Sequence, residues 1–176
     1  MDRQSNTAFR NGKAAANTRH LVVFFVSEQA YGIDVDRVEQ IVPIPALVCP
    51  PGSPPVLEGF MEVGGAIVPV IRTAILFNRP LSPVDIYSPI LLVRDPQGPL
   101  GFLVDGVRSV AAYTESCLAP LSEGSSLNDC SLGFVEMDER TVIVLDPTRL
   151  IARQQRARLE EFQQMAQQQL VPGENA

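Results

Sequence analysis

Tryptophan is absent from this 176-residue chain, histidine occurs once, and aromatic residues make up only 6%. A single histidine, His20, at the edge of a polar N-terminal stretch gives no support to a Ser-His-Asp triad or a histidine metal centre. It reads as a surface residue. The three cysteines, Cys49, Cys117 and Cys130, are odd in number, and no two are spaced as a metal or redox pair. They read as reduced thiols, so no metal and no cofactor is expected. No apolar run approaches the length of a membrane-spanning helix. Residues 1–19 are polar and mildly basic, with no apolar stretch and cleavage site after them, so they read as a flexible arm and not a secretory signal. A basic surface is also missing. The net charge is −6, and a nucleic-acid binder needs cations to displace counterions from phosphate.

What the chain does have is a phrase written twice. "GFMEVGGAIVPVI" begins at Gly59, and "GFVEMDERTVIVL" begins at Gly133, an offset of 74 with no insertion or deletion. Glu62 meets Glu136, Val63 meets Met137, Val68 meets Val142, and Val70 meets Val144. A weaker echo stands at an offset of 69: "IDVDRVEQI" from Ile33 corresponds to "FLVDGVRSV" from Phe102. Two phrases recurring in one order point to two similar β lobes of about seventy residues each, a size at which a lone core is marginal. The lobes are therefore expected to pack together, and their seam is the expected place for a groove that a protein partner would fill.

Local patterns fill in the elements. Leu21–Val26 is a buried strand, and Tyr31–Ile33 returns as a second. Val35, Val38 and Ile41 at spacing three predict one or two helical turns capped by Asp34. "PIPALVCPPGSPP" holds six prolines and must be an extended connector; a polyproline ligand is the functional alternative. Phe60–Val63 and Ala66–Ile71 form a hairpin around Gly64-Gly65, with Pro69 demanding a free side or a bulge. Asp138-Glu139 replaces the glycine pair in the second copy, which predicts another type of turn. Ile90–Val93 and Leu100–Val104 make a further hairpin. Asp146 and Pro147 open a helix running through "RLIARQQRARLEEFQQMAQQQL", its base packed on the body and its glutamine-rich end projecting or covering a partner.

The ordered set "LVVFFVSEQAYGIDVDRVEQIV", "LEGFMEVGGAIVPVIRTAIL", "GFLVDGVRSV" and "LGFVEMDERTVIVLDPTRLI" resembles the CheW-like domain of bacterial chemosensory systems. The resemblance covers roughly residues 20–152 and leaves 153–176 as a helical extension. It implies a mainly β fold: two SH3-like five-stranded barrel lobes packed together, with short helices and a C-terminal α-helix. It implies an adaptor without catalytic activity, placed in the cytoplasm at membrane-associated receptor arrays. Its partners would be a chemoreceptor's hairpin tip and the regulatory domain of a CheA-type histidine kinase, with which the family forms alternating rings through end-to-end barrel contacts.

Departures from the family pattern matter as much. Where members carry asparagine and arginine before the hairpin glycine, this chain has Glu62 and Gly64. Where they carry a glutamate that can pair with that arginine, it has Gln40. Losing both charges together avoids leaving one unpaired. Arg72 also replaces an aspartate that the second copy keeps as Asp146. These changes fit a divergent adaptor of an accessory pathway, such as surface sensing, pili or cyclic-dinucleotide control; free drift of surface positions over a kept core is the equal alternative. The residues expected to contact partners are Val38, Gln40, Val42, Val63, Gly64, Val104 and Asp105; valines at these periods are also what a plain core would use.

Two other classes bear comparison. Asp34, Asp36 and Glu39 lie close in sequence, and a hydrolase can use paired carboxylates. Capping and a solvated face explain them more simply, and no phosphate loop or nucleophile motif accompanies them. A small-ligand-binding β module would need an enclosed apolar pocket at the seam, whereas an open groove fits a helical protein partner.

Overall fold

The computed structural model describes residues 17–122, 127 and 129–170. Its strands are β1 (Thr18–Val26), β2 (Gln29–Asp34), β3 (Val38–Pro43), β4 (Leu57–Val63), β5 (Ala66–Arg72), β6 (Pro89–Val93), β7 (Leu100–Leu103), β8 (Gly106–Thr114), β9 (Ser131–Met137) and β10 (Arg140–Leu145). The helices are α1 (Thr73–Leu76) and α2 (Arg153–Leu170). The sheet opens at Thr18, so Arg19 and His20 belong to β1 and not to the arm. Arg19 is ion-paired with Asp34 on the neighbouring strand and with Glu115, the latter at 2.9 Å.

The ten strands form two five-stranded sheets. One has the order β8-β1-β2-β10-β9 and is called lobe 1; the other has the order β3-β6-β7-β5-β4 and is called lobe 2. Replacing each strand of lobe 2 by its counterpart in the other half of the chain (β3 by β8, β6 by β1, β7 by β2) turns one order into the other. Even the parallel pairings agree: β2 with β10, and β7 with β5. The repeat is thus a duplicated run of five strands. The lobes are not consecutive along the chain, as the sequence offset suggests, but exchanged: the first two strands of each run complete the sheet of the other. This links the lobes covalently and by backbone hydrogen bonds, so neither half holds a complete sheet of its own.

The recurring glycines have a packing reason. A Cβ on Gly59 would sit 2.8 Å from Leu47 Cβ, because the proline-rich connector crosses β4 there through a bridge between Val48 and Phe60. Gly133 has the same neighbourhood in lobe 1: Ala119 bridges to Phe134, and a Cβ would press on the Ala119 carbonyl and Leu118. Each connector covers an outer strand, which would otherwise leave its backbone groups open to solvent. Pro69 meets its expected condition. Phe60, opposite it on β4, exchanges both backbone hydrogen bonds with Val48, and pairing of β5 with β7 begins only at Val70.

Several local expectations give way to long-range pairing. Val35–Arg37 is one short 3-10 turn, and Asp34 makes no capping hydrogen bond; its carboxylate is occupied by Arg19. Val38–Pro43 is a strand, because β-branched residues gain more from pairing with β6 than from a second helical turn. The echo of that segment is likewise a strand, β8. Asp138 and Glu139 take positive φ values of 48° and 61°, close to the 58° and 84° of Gly64 and Gly65, so the two hairpins share one turn conformation. Asp146 caps Thr148 as expected, but the helix is not continuous: a 3-10 turn at Pro147–Arg149 ends before α2 starts at Arg153.

Helix α2 does not project. Leu159 and Ala166 are buried, with Phe162 and Leu170 packed against the same core. Gln163 Nε2 donates to the Ile67 carbonyl at 2.7 Å, on the stretch of β5 that precedes its pairing with β7. Arg156 is buried, ion-paired with Asp95, and donates to Gln97 Oε1 at 3.0 Å and the Gly98 carbonyl at 3.2 Å. The helix is therefore stapled to the β6–β7 turn of lobe 2.

Candidate functional site

The core has three parts. A central cluster joins the sheets, combining Val22, Phe24, Tyr31 and Ile33 with Phe60, Ile71, Leu91 and Phe102. Tyr31 stacks on Phe24 and meets Phe77 at a tilt, with ring centroids at 5.8 and 4.8 Å. The seam expected to be a groove is filled by this cluster. Each lobe has its own smaller interior: Leu21, Val23, Ala30, Val135, Val142 and Val144 in lobe 1, and Met61, Val68, Val70, Ile90, Leu92 and Leu103 in lobe 2. The partly buried residues around these interiors form the mouths of the barrels.

The expected contact residues divide between these places. Val42 and Val63 are half-buried against the lobe 2 interior, at its mouth. Gln40 and Gly64 are exposed on the same β3 strand and the same β4–β5 hairpin as those valines. Val38 packs on the central cluster, and Val104 is 3% exposed within it, so the Val104 side chain is core and offers nothing to a partner. Asp105 is exposed but already engaged: it accepts from the Ser27 backbone N–H at 2.6 Å and from Ser82 Oγ at 2.9 Å. It ties the β1–β2 turn to the segment between α1 and β6, away from the other six in role.

Arg72, the departure from the family pattern, has found a partner inside the chain. Its guanidinium meets Glu58 at 3.1 Å and donates to the Ser82 carbonyl at 3.2 Å. Asp146 at the equivalent place caps Thr148 and pairs with Arg149 at 3.3 Å. One position of the repeat thus uses opposite charges for local anchoring.

The mouth of lobe 1 was missed by sequence reasoning. It is a shallow depression lined by Val23, Phe25, Ala111, Met137, Arg108 and Arg140, with Asp138 at the turn. The Arg140 guanidinium lies 5.6 Å from the centre of the Phe25 ring, a cation–π contact. The signal was available: Ser109, Ala111, Met137 and Asp138 stand one repeat offset from Gln40, Val42, Val63 and Gly64.

Larger depressions lie elsewhere. One of about 270 Å³ lies between the β6–β7 turn and α2, lined by Asp95, Gln97, Thr148 and Arg156. The carboxylates a hydrolytic reading would pair are occupied differently: Asp34 is buried against Arg19, while Asp36 and Glu39 face solvent. Among the described residues no group of three His, Cys, Asp or Glu side chains is placed to hold a metal, and no helix is long and apolar enough to cross a membrane.

Comparison with known proteins agrees with this architecture. The family model for the CheW-like domain matches residues 20–155. The chemotaxis protein CheW of Thermotoga maritima is 30% identical over 128 residues, covering 73% of this chain and 84% of its own. The chemotaxis protein CheW of Klebsiella aerogenes is 23% identical over 141 residues, covering 79% and 85%. The crystal structure of the scaffolding protein TtCheW from Thermoanaerobacter tengcongensis superposes with a TM-score of 0.72 at 24% identity, over 78% of this chain and 90% of that one. That match shows the same fold of two SH3-like lobes. With the family model spanning both sheets and all ten strands but the first residues of β1, the chain belongs to the CheW-like domain family.

Proposed function

We propose that this protein is a non-catalytic adaptor that couples a chemoreceptor's hairpin tip to the regulatory domain of a CheA-type histidine kinase in a cytoplasmic chemosensory array. The observation that carries the proposal is the family match over residues 20–155, made with a fold whose two lobes each end in a mouth of half-buried apolar side chains. An adaptor must hold two partners at once, and a duplicated fold supplies two comparable surfaces. Apolar centres with charged rims are the usual anatomy of such contacts.

Gln40, Val42, Val63 and Gly64 are the residues we assign to a partner surface. Gln40 and Gly64 leave it without the charge pair that the family resemblance implies, and Arg72 is turned inward to Glu58. That combination supports an accessory pathway whose partners do not present the complementary charges. The test is co-purification of the full chain with a receptor hairpin-tip fragment and with a CheA-type regulatory domain from the same organism. Both are expected to be captured, and Val63→Glu is expected to weaken capture while the far-ultraviolet spectrum stays that of the parent. Capture of neither partner by the parent chain would remove the coupling role.

A further inference from the structure

The β4–β5 and β9–β10 hairpins are copies of one another, yet they stand on unequal supports. In lobe 1 the parallel ladder between β10 and β2 starts at Val142 opposite Ala30, followed by Ile143 opposite Tyr31. The same places of the repeat in lobe 2 hold Val68 with Pro99 and Pro69 with Leu100. Proline has no N–H to give to a ladder. The pairing of β5 with β7 accordingly starts only at Val70 opposite Gly101. Residues 67–69 of β5 run toward the Gly64-Gly65 turn without a rung from β7.

One backbone carbonyl shows how each lobe meets this. In lobe 1 it belongs to Thr141, and Gln29 Nε2 from β2 donates to it at 3.0 Å. In lobe 2 the carbonyl one repeat offset away is that of Ile67, and Gly98 stands in the place of Gln29 with no side-chain amide to offer. Gln163 of α2 supplies the missing donor at 2.7 Å. Two turns earlier on the same helix face, Arg156 donates to the carbonyl of Gly98 itself at 3.2 Å. Leu159, between these two, is buried. Helix α2 thus bridges β5 and the start of β7 where their ladder is missing, with Ile67, Pro69 and Pro99 lining the same crevice. A side-chain amide meets the same carbonyl in both halves, from unrelated elements, because a backbone acceptor shut away from water is costly to leave without a donor.

We propose that α2 is a clamp that sets the pose of the β4–β5 hairpin, with Gln163 as its positioning residue, and so governs capture of a partner at Val63 and Gly64; the last step rests on the partner surface proposed above. Lobe 1 needs no such clamp, because β2 itself supports the β9–β10 hairpin. Seating of α2 and capture at the lobe 2 hairpin are then coupled, and each favours the other.

The test is amide hydrogen exchange of the full chain, resolved by residue, beside capture of the receptor hairpin-tip fragment and the CheA-type regulatory domain. Gln163→Glu keeps the shape of the side chain and removes the donor. It is expected to speed exchange at residues 63–68 on the order of tenfold, to leave residues 137–142 unchanged, and to weaken capture several-fold. Gln163→Lys, which keeps a donor, is expected to exchange close to the parent's rate. The mirror variant, Gln29→Glu, is expected to act less on residues 137–142, since the rung between Val142 and Ala30 still holds them. Gln163→Ala serves in place of Gln163→Glu if that chain does not fold. Unchanged exchange at residues 63–68, equal acceleration in both hairpins, or Gln163→Lys exchanging as fast as Gln163→Glu would overturn the proposal. So would unaltered capture by Gln163→Glu where Val63→Glu weakens it. Capture insensitive to Val63→Glu, with exchange rising as expected, would leave the clamp in place and count against the partner surface alone.

Discussion

Lobe 1 and lobe 2 have the same five strands in the same spatial order, yet they differ in what holds them and in what they show to solvent. In lobe 2 the β6–β7 turn is anchored by Arg156 reaching from α2, and α2 covers β4 and β5. In lobe 1 the corresponding β1–β2 turn is held by Asp105 through the Ser27 N–H, and no helix comparable to α2 lies against it among the described residues. The glycine hairpin of lobe 2 is matched in lobe 1 by Asp138-Glu139 in the same positive-φ conformation. The difference teaches that duplication conserved the backbone positions and the interior, while the anchors and rims diverged. Interior residues are constrained by close packing from every side, and a rim residue has solvent as an alternative neighbour.

The comparison can be broken first at α2. Replacing Arg156 by Met leaves the largely buried Asp95 carboxylate without its cation, a change expected to cost about 3 kcal/mol, the low end for such pairs because Asp95 borders an open depression. The midpoint of urea unfolding should fall accordingly. A midpoint near the parent's would mean that the helix is not an integral part of lobe 2. A smaller effect lies at the lobe 1 hairpin. Glu139 holds a left-handed conformation that is unfavourable for residues with a side chain by about 1–2 kcal/mol, so Glu139→Gly should stabilise by up to roughly 1 kcal/mol after the extra entropy of glycine is counted. The reverse replacement, Gly65→Glu, should destabilise lobe 2 by a similar amount. Thermal unfolding of both variants checks the pair; equal and opposite shifts are the outcome expected of one shared turn.

Much of the architecture is legible in the sequence because it rests on short-range chemistry. The repeat, the strand runs at Leu21–Val26 and Ile90–Val93, the Gly64-Gly65 turn and the capping by Asp146 all follow from neighbouring residues. The exchange of strands between lobes does not, because pairing of β1 with β8 joins residues about ninety apart, and periodicity carries no record of the partner. Helix α1 escaped notice because four residues give no period to read. Val35, Val38 and Ile41 at spacing three fit a helix equally well until β6 arrives to pair with Val38–Pro43. Of the expected contact residues, Val42 and Val63 are half-buried against the lobe 2 interior, whereas Val104 is core and Asp105 is a clamp. Arg108 and Arg140 are not marked by the apolar matches of the repeat, because their signal is a contrast of charge with Glu39 and Ala66.

The methionines provide a direct reading of which surfaces meet a partner. Met137 is at the lobe 1 mouth, Met61 lies in the lobe 2 interior behind Val63, and Met165 is on the exposed side of α2. The decisive measurement is the methionine-methyl NMR spectrum of the chain during titration with a CheA-type regulatory domain. Movement or broadening of the Met137 or Met61 signal, with Met165 unchanged, is the result predicted by docking at the barrel mouths. A response confined to Met165, with both mouth signals unmoved, would contradict it.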